Sequence, residues 1–200
     1  MSVSYERFQQ GMTFAAYRAQ MTRNQDRFDE NTRLLHIADD DREFFRSLPQ
    51  PVRVLVITED WCGDAINNLP IIGRLAEDNN RMDVRVFLRD QNPDLINAYL
   101  KDGLHQSIPV FVVFDSDMHE LGHFIERPAR ITAQMDVFVA NVFATDPALA
   151  GVAPGTSPAQ LSEEARMALG RGFGQFRAET RALSDAEIVR EIRAMIAGSP

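Results

Sequence analysis

The chain has 200 residues, 44% of them apolar, with 21 Lys and Arg against 29 Asp and Glu for a formal charge of -8. That length supports one core of roughly 100 to 150 residues with further elements around it. The acidic balance excludes nucleic acid as a partner, because phosphate binding needs clustered cations. No stretch approaches the roughly 18 apolar residues of a membrane span, and no apolar run of signal-peptide length opens the sequence, so the expected location is the cytoplasm with no membrane partner. Cys62 is the only cysteine, which excludes an intramolecular disulfide and a self-contained dithiol cycle.

The first fifty residues read as helices, with Phe8, Met12, Ala15 and Ala19 at helical spacing, then Phe28, Thr32 and Leu35. Asp40 and Glu43 read as a capping box before Phe44, Phe45 and Leu48, and Pro49-Gln50-Pro51 stops that helix. Val52 to Ile57 is β-branched and almost wholly apolar, as suits a strand buried on both faces of a sheet. It leads into Trp61-Cys62-Gly63-Asp64-Ala65, after which Ile66, Leu69, Gly73 and Ala76 share one helical face. The thiol therefore stands where a strand gives way to a helix N-terminus.

Val84 to Leu88 predicts a second strand, Asp94 to Leu100 a short helix ended by Gly103, and Val110 to Phe114 a third strand. His119 to Ile125 reads as an antiparallel partner, and Ile131, Met135, Phe138, Val139 and Val142 mark a closing helix. Pro and Gly among small residues give 146–158 the composition of a linker. A helical tail follows, in which Leu169, Phe173, Phe176, Thr180 and Leu183 share a face and Ser184 with Glu187 suggests a second capping box. The expected domains are thus a helical extension over 1–49, an α/β domain over 50–145, a linker over 146–158 and a helical tail over 159–200. The apolar helices outside the domain either pad it or make a homodimer.

The order βαβαββα, Trp61-Cys62-Gly63 at the first strand-to-helix turn and Ile108-Pro109 before the third strand together resemble the thioredoxin fold over residues 50–145. Pro70 stands where that fold carries a helix-kinking proline, and Pro109 where it carries a cis proline facing the active-site sulfur. The wider pattern, Thr58-Glu59-Asp60-Trp61-Cys62-Gly63-Asp64-Ala65, Leu88-Arg89-Asp90, Ser107-Ile108-Pro109 and Arg127-Pro128, is similar to a poorly characterised bacterial branch of that superfamily. The resemblance implies an α/β thioredoxin-like fold, a mixed central sheet flanked by helices, with N- and C-terminal helical extensions. Where thioredoxins have a resolving cysteine this chain has Ala65, and where they have a buried proton-accepting aspartate it has Val56. Both departures remove the second half of the exchange and leave the first.

Cys62 is accordingly the candidate catalytic residue, expected in an exposed loop formed with Trp61, Gly63, Asp64 and Ala65, with Ile108 and Pro109 lining a substrate groove. A helix N-terminus stabilises a thiolate, while the nearby carboxylates of Glu59, Asp60 and Asp64 oppose a further negative charge. Arg89, His105 and Arg127 are the cations that the fold could bring to the sulfur. Arg127-Pro128 also reads as the turn into the closing helix, and Asp64 as a first-turn acid that stabilises its own helix. The four histidines lack metal-ligand spacing with Cys62, His119 and His123 lack acidic company, and no metal or cofactor is expected. The function that follows is monothiol thiol–disulfide exchange, a mixed disulfide on Cys62 being resolved by an external thiol, with a protein disulfide or low-molecular-weight thiol as partner. The alternative is a redox-inactive module that binds an extended peptide along Trp61, Ile108 and Pro109.

Overall fold

In the computed structural model, which describes residues 3–198, the elements run α1 (Tyr5–Gln9), β1 (Met12–Thr13), α2 (Phe14–Gln20), α3 (Gln25–Arg33), α4 (Asp39–Arg46), β2 (Val52–Thr58) and α5 (Gly63–Glu77). After these come β3 (Met82–Leu88), α6 (Pro93–Ile96), β4 (Val110–Phe114), β5 (Glu120–Ile125), α7 (Ala129–Thr145), α8 (Glu163–Glu179) and α9 (Arg181–Ala197). The β-branched run behaves as its composition dictates. In the sheet order β1-β3-β2-β4-β5, strand β2 is central, parallel to β3 and antiparallel to β4. Its Leu55, Val56 and Ile57 are fully buried. This is the mixed α/β sheet of a thioredoxin-like fold.

The N-terminal region departs from an all-helical reading. Met12 and Thr13 form a two-residue strand antiparallel to β3, pairing with Val86 and Arg85. Gly11 makes that approach possible, since a Cβ there would lie 2.6 Å from the Phe87 ring and 2.8 Å from Arg85 Cβ. Thr13 then caps α2 by accepting a hydrogen bond from Ala16 N–H. Neither expected capping box forms. Helix α4 starts one residue before Asp40, behind Ala38 and with no side-chain cap. Ser184 lies inside α9, buried, where its hydroxyl meets Asn68 Oδ1 at 3.4 Å.

The chain divides into two compact units, one reaching to Pro128 and resuming at Ser184, the other spanning Ala129–Leu183. In the first, the core extends from the sheet into both terminal regions: Phe8, Tyr17, Phe28 and Phe45 join Leu55, Ile57 and Phe111, as do Ile188, Val189 and Ile192 of α9. The α9 segment is held further by an Arg193–Asp41 ion pair and by the Arg193 guanidinium 4.5 Å from the Phe44 ring centroid. The terminal helices thus pad the core of this unit. In the second unit, α7 and α8 pack through Ile131, Met135 and Phe176, with the Phe138 and Phe176 rings 5.2 Å apart. The segment expected as a linker contains a 3₁₀ turn, Pro147–Leu149, whose Leu149 is fully buried against Leu161 and Ala165.

Gly73, inside α5, faces the N-terminal region, and a Cβ there would sit 2.2 Å from the Phe14 ring. An exposed helical Gly→Ala change stabilises by roughly 1 kcal/mol. Here the methyl has no room, so Gly73→Ala is expected to lower stability by about 1–3 kcal/mol in urea unfolding, and to lose that penalty in a Phe14→Ala background. A gain in stability from Gly73→Ala alone would contradict the close packing of α2 on α5.

Candidate functional site

The site follows from the sheet register. Ile57 near the end of β2 pairs with Val110 at the start of β4, so the loop after β2 and the segment before β4 meet at one end of the sheet. Cys62 is the N-cap residue of α5, in extended conformation with φ -77° and ψ 120°. Its N–H donates to Glu59 O at 3.2 Å, and its carbonyl accepts from Ile66 N–H at 3.1 Å. The thiol donates to Ile108 O at 3.3 Å, and the Ile108–Pro109 peptide bond is cis.

The sequence predicts an exposed thiol, but Cys62 is only 8% accessible, its thiol donating to the carbonyl of Ile108, itself 6% accessible. Trp61 is the exposed neighbour at 42%, with the Arg89 guanidinium 4.9 Å from its ring centroid. Ala65 and Val56 are fully buried, so the two positions that depart from a dithiol enzyme are filled by close-packed apolar side chains.

Each carboxylate close to Cys62 in sequence is engaged by a donor. Glu59 accepts from Asp90 N–H at 3.0 Å. Asp60 Oδ2 accepts from Thr22 N–H at 2.7 Å, Thr22 Oγ1 at 3.1 Å and Arg23 N–H at 3.1 Å, while Asn24 Nδ2 donates to Asp60 O at 2.8 Å. Desolvation pushes the Asp60 carboxyl up, but the hydrogen bonds from Thr22 and Arg23 outweigh it and hold it below the usual carboxylate range. Asp64 pairs with Arg127, both side chains being nearly buried. The candidate cations therefore take different places: Arg127 neutralises Asp64, Arg89 lies over Trp61, and His105 is exposed in the loop before β4, its backbone paired with Lys101.

Arg127 also closes a circuit. Glu126, in left-handed conformation with φ 63°, donates its N–H to Pro109 O at 2.7 Å and accepts at its carbonyl from Asn68 Nδ2 at 2.8 Å. Its carboxylate bonds Lys101 Nζ at 2.7 Å and Arg127 at 3.2 Å. The groove segment, the turn after β5 and the first turns of α5 are thus tied to one another around the thiol. Sequence pattern does not mark Glu126, Asn68 or Thr22; their roles depend on contacts across many residues, and only the nearness of Glu126 to Arg127-Pro128 points to any of them. The histidines do have acidic company. His119 Nδ1 lies 3.0 Å from Asp115, and His123 Nδ1 lies 2.6 Å from Glu120, each facing one carboxylate beside the β4–β5 hairpin.

An α/β protein with a cysteine at the first strand-to-helix turn and a cis proline opposite belongs to the thioredoxin-like class. Residues 11–140 match the family described as thioredoxin, and the chain belongs to it. No curated protein matches the sequence. The chain is similar in structure to a protein of unknown function from Pseudomonas aeruginosa, with a TM-score of 0.68 at 18% identity over 98% of each chain. It is also similar to an HIV epitope-scaffold protein, with a TM-score of 0.68 at 17% identity over 98% of this chain and 99% of the other. Both likenesses concern the fold. Among the described residues, no helix is long and apolar enough to cross a membrane.

Two measurements probe the polar frame. Because the Asp60 carboxyl is held low, the stability it confers is fully present above its unfolded range, near pH 3.9, and is lost as pH falls through the folded value. The stability gap between the protein and Asp60→Asn is therefore expected to be largest at neutral pH and to close below about pH 4 in urea unfolding; a pH-independent gap would refute the link. Arg127→Met leaves Asp64 buried without its cation and is expected to cost about 3–5 kcal/mol. Asp64→Asn in the same chain is expected to recover part of that loss, and a double-mutant cycle without coupling would show that the pair does not act as a unit.

Proposed function

We propose that Cys62 carries out thiol–disulfide exchange as a monothiol. The observation that carries this reading is the placement of Sγ at the N-cap of α5, opposite Ile108 O, with the nearest acid on the helix already paired to Arg127. Unpaired N–H groups of a helix first turn favour the thiolate over the thiol. The thiolate attacks one sulfur of a protein disulfide or a low-molecular-weight disulfide, forming a Cys62–S–S–R bond and releasing the other sulfur as a thiolate. With Ala65 in place of a second cysteine, an external thiolate attacks the mixed disulfide, takes R and restores Cys62. Membership of the thioredoxin family supports a redox role, and a reducing cytoplasm would supply the resolving thiol.

A second reading, a redox-inactive module that binds an extended peptide, is favoured by the burial of Cys62 beside an exposed Trp61. Incubation with oxidised glutathione followed by intact mass measurement separates the two. Exchange predicts one glutathione adduct per chain, removed by an added thiol and absent in Cys62→Ser. An unmodified chain would refute exchange, and retention of cellular partners by Cys62→Ala but not by Trp61→Ala would establish the binding module.

A further inference from the structure

Residues 102–106 are all exposed, between a partly buried Lys101 and the buried Ile108 and Pro109. This stretch closes on itself. Lys101 N–H donates to His105 O at 2.8 Å, His105 N–H to Lys101 O at 3.0 Å and Ser107 N–H to His105 O at 2.8 Å, with Asp102 and Gly103 turning at φ 53° and 70°. Leu104 at the tip is 77% accessible. Beyond the tip, an exposed bond joins Gln106 Nε2 to Asn97 Oδ1 at 2.8 Å. The far end of the stretch is what the Cys62 thiol meets, at Ile108 O.

One residue grips both ends. Glu126 donates its N–H to Pro109 O at 2.7 Å, and its carboxylate bonds Lys101 Nζ at 2.7 Å. It does so from a left-handed backbone, φ 63°, that a glycine adopts freely and a glutamate adopts at a cost. A glycine would keep the bond to Pro109 O and lose the carboxylate, so what offsets that cost is the side chain. Its cations are Lys101 and Arg127, the latter paired also with Asp64 in the first turn of α5. Asn68 of α5 holds the Glu126 carbonyl at 2.8 Å. We propose that residues 101–109 form a strap over Cys62, with the Lys101–Glu126 ion pair as its clasp, and that this clasp gates access to the thiol. Exchange needs Sγ to come into line with both sulfurs of a disulfide, and a thiol 8% accessible and bonded to Ile108 O must first be uncovered. Release of Lys101 frees the near end of the strap, while the pairing of Val110 with Ile57 and Ile125 holds the far end as a hinge. The two side chains of the clasp are 34% and 19% accessible, so salt and a charged partner can reach them.

The proposal rests on the reading of Cys62 as the reactive group, and its test uses no disulfide. The rate of Cys62 alkylation by iodoacetamide, read by intact mass, is followed against pH in the full chain. The thiolate fraction sets the midpoint of that profile, and access to the thiolate sets its plateau. Lys101→Met is expected to raise the plateau about tenfold, the weight of one hydrogen bond between charged groups, and to leave the midpoint in place. Lys101→Arg is expected to return the plateau to that of the parent, and Gly73→Ala, destabilised elsewhere, to keep it. Glu126→Gly retains the left-handed backbone and the bond to Pro109 O, and gives the same rise should Lys101→Met fail to fold. A plateau unchanged in Lys101→Met or in Glu126→Gly, a midpoint shift without a higher plateau, or an equal rise in Gly73→Ala would overturn the clasp. Raised plateaus in a chain that takes no glutathione would refute exchange and leave the gate, whereas a glutathione adduct with unchanged plateaus would refute the gate alone.

Discussion

The antiparallel register of β2 on β4 is the constraint on which the site depends. With Ile57 opposite Val110, the chain leaving β2 and the chain entering β4 share one end of the sheet, and Cys62 meets Ile108 although 46 residues separate them. Strand β3 fills the other edge of β2, and the strand is buried on both faces, which fixes the register against slippage, since a shift of one residue would turn Val54, Val56 and Thr58 to the opposite face. The polar contacts then close the frame without a covalent link. Pro109 O holds Glu126, Glu126 O holds Asn68 of α5, and Arg127 returns to Asp64 in the first turn of the helix that Cys62 caps.

Within that frame, the electrostatics are less hostile to an anionic sulfur than the local sequence implies. Three acids lie within three residues of Cys62, and by number alone they disfavour a thiolate. Glu59 and Asp60 are instead turned to backbone N–H groups, and Asp64 faces a guanidinium. The same acids do structural work. Asp60 docks the loop between α2 and α3 onto the thiol loop, and Asp64 anchors the turn after β5. Val56 and Ala65 are filled apolar sites, so nothing at either position could serve a resolving thiol.

Much of the architecture was legible because it depends on local pattern. The apolar run at Val52 to Ile57, the helical spacing from Ile66 to Ala76 and the strand at Val110 to Phe114 each carry their period within a few residues. What was illegible depends on distant partners. Met12 and Thr13 are too short a strand to show a period, and only Val86 and Arg85 make them one. Ser184 had the local pattern of a cap, yet α9 runs through it because Asn68 and the core cover that side chain. Cys62 stands at the strand-to-helix turn that the pattern predicts but not with the predicted exposure, since its partner Ile108 lies far along the chain. The sequence marks Arg127 as a cation within reach of the site and Asp64 as an acid of the first turn of α5, but nothing local joins the two, which lie 63 residues apart.

The division into an extension and a thioredoxin-like domain misplaces the physics of the thiol. Phe14 packs where Gly73 of α5 leaves room, and Thr22 and Arg23 hold Asp60, so the N-terminal region bears both on the helix that Cys62 caps and on the loop that precedes it. Residues 184–197 complete the same core, and Ser184 touches the Asn68 that steadies the Glu126 turn. A dithiol enzyme can keep its second cysteine and buried acid within one strand and helix. This chain, lacking both, surrounds its single sulfur with groups drawn from outside the βαβ unit, and the loop conformation that presents Cys62 is therefore a property of residues on either side of that unit as much as of the Trp-Cys-Gly sequence itself.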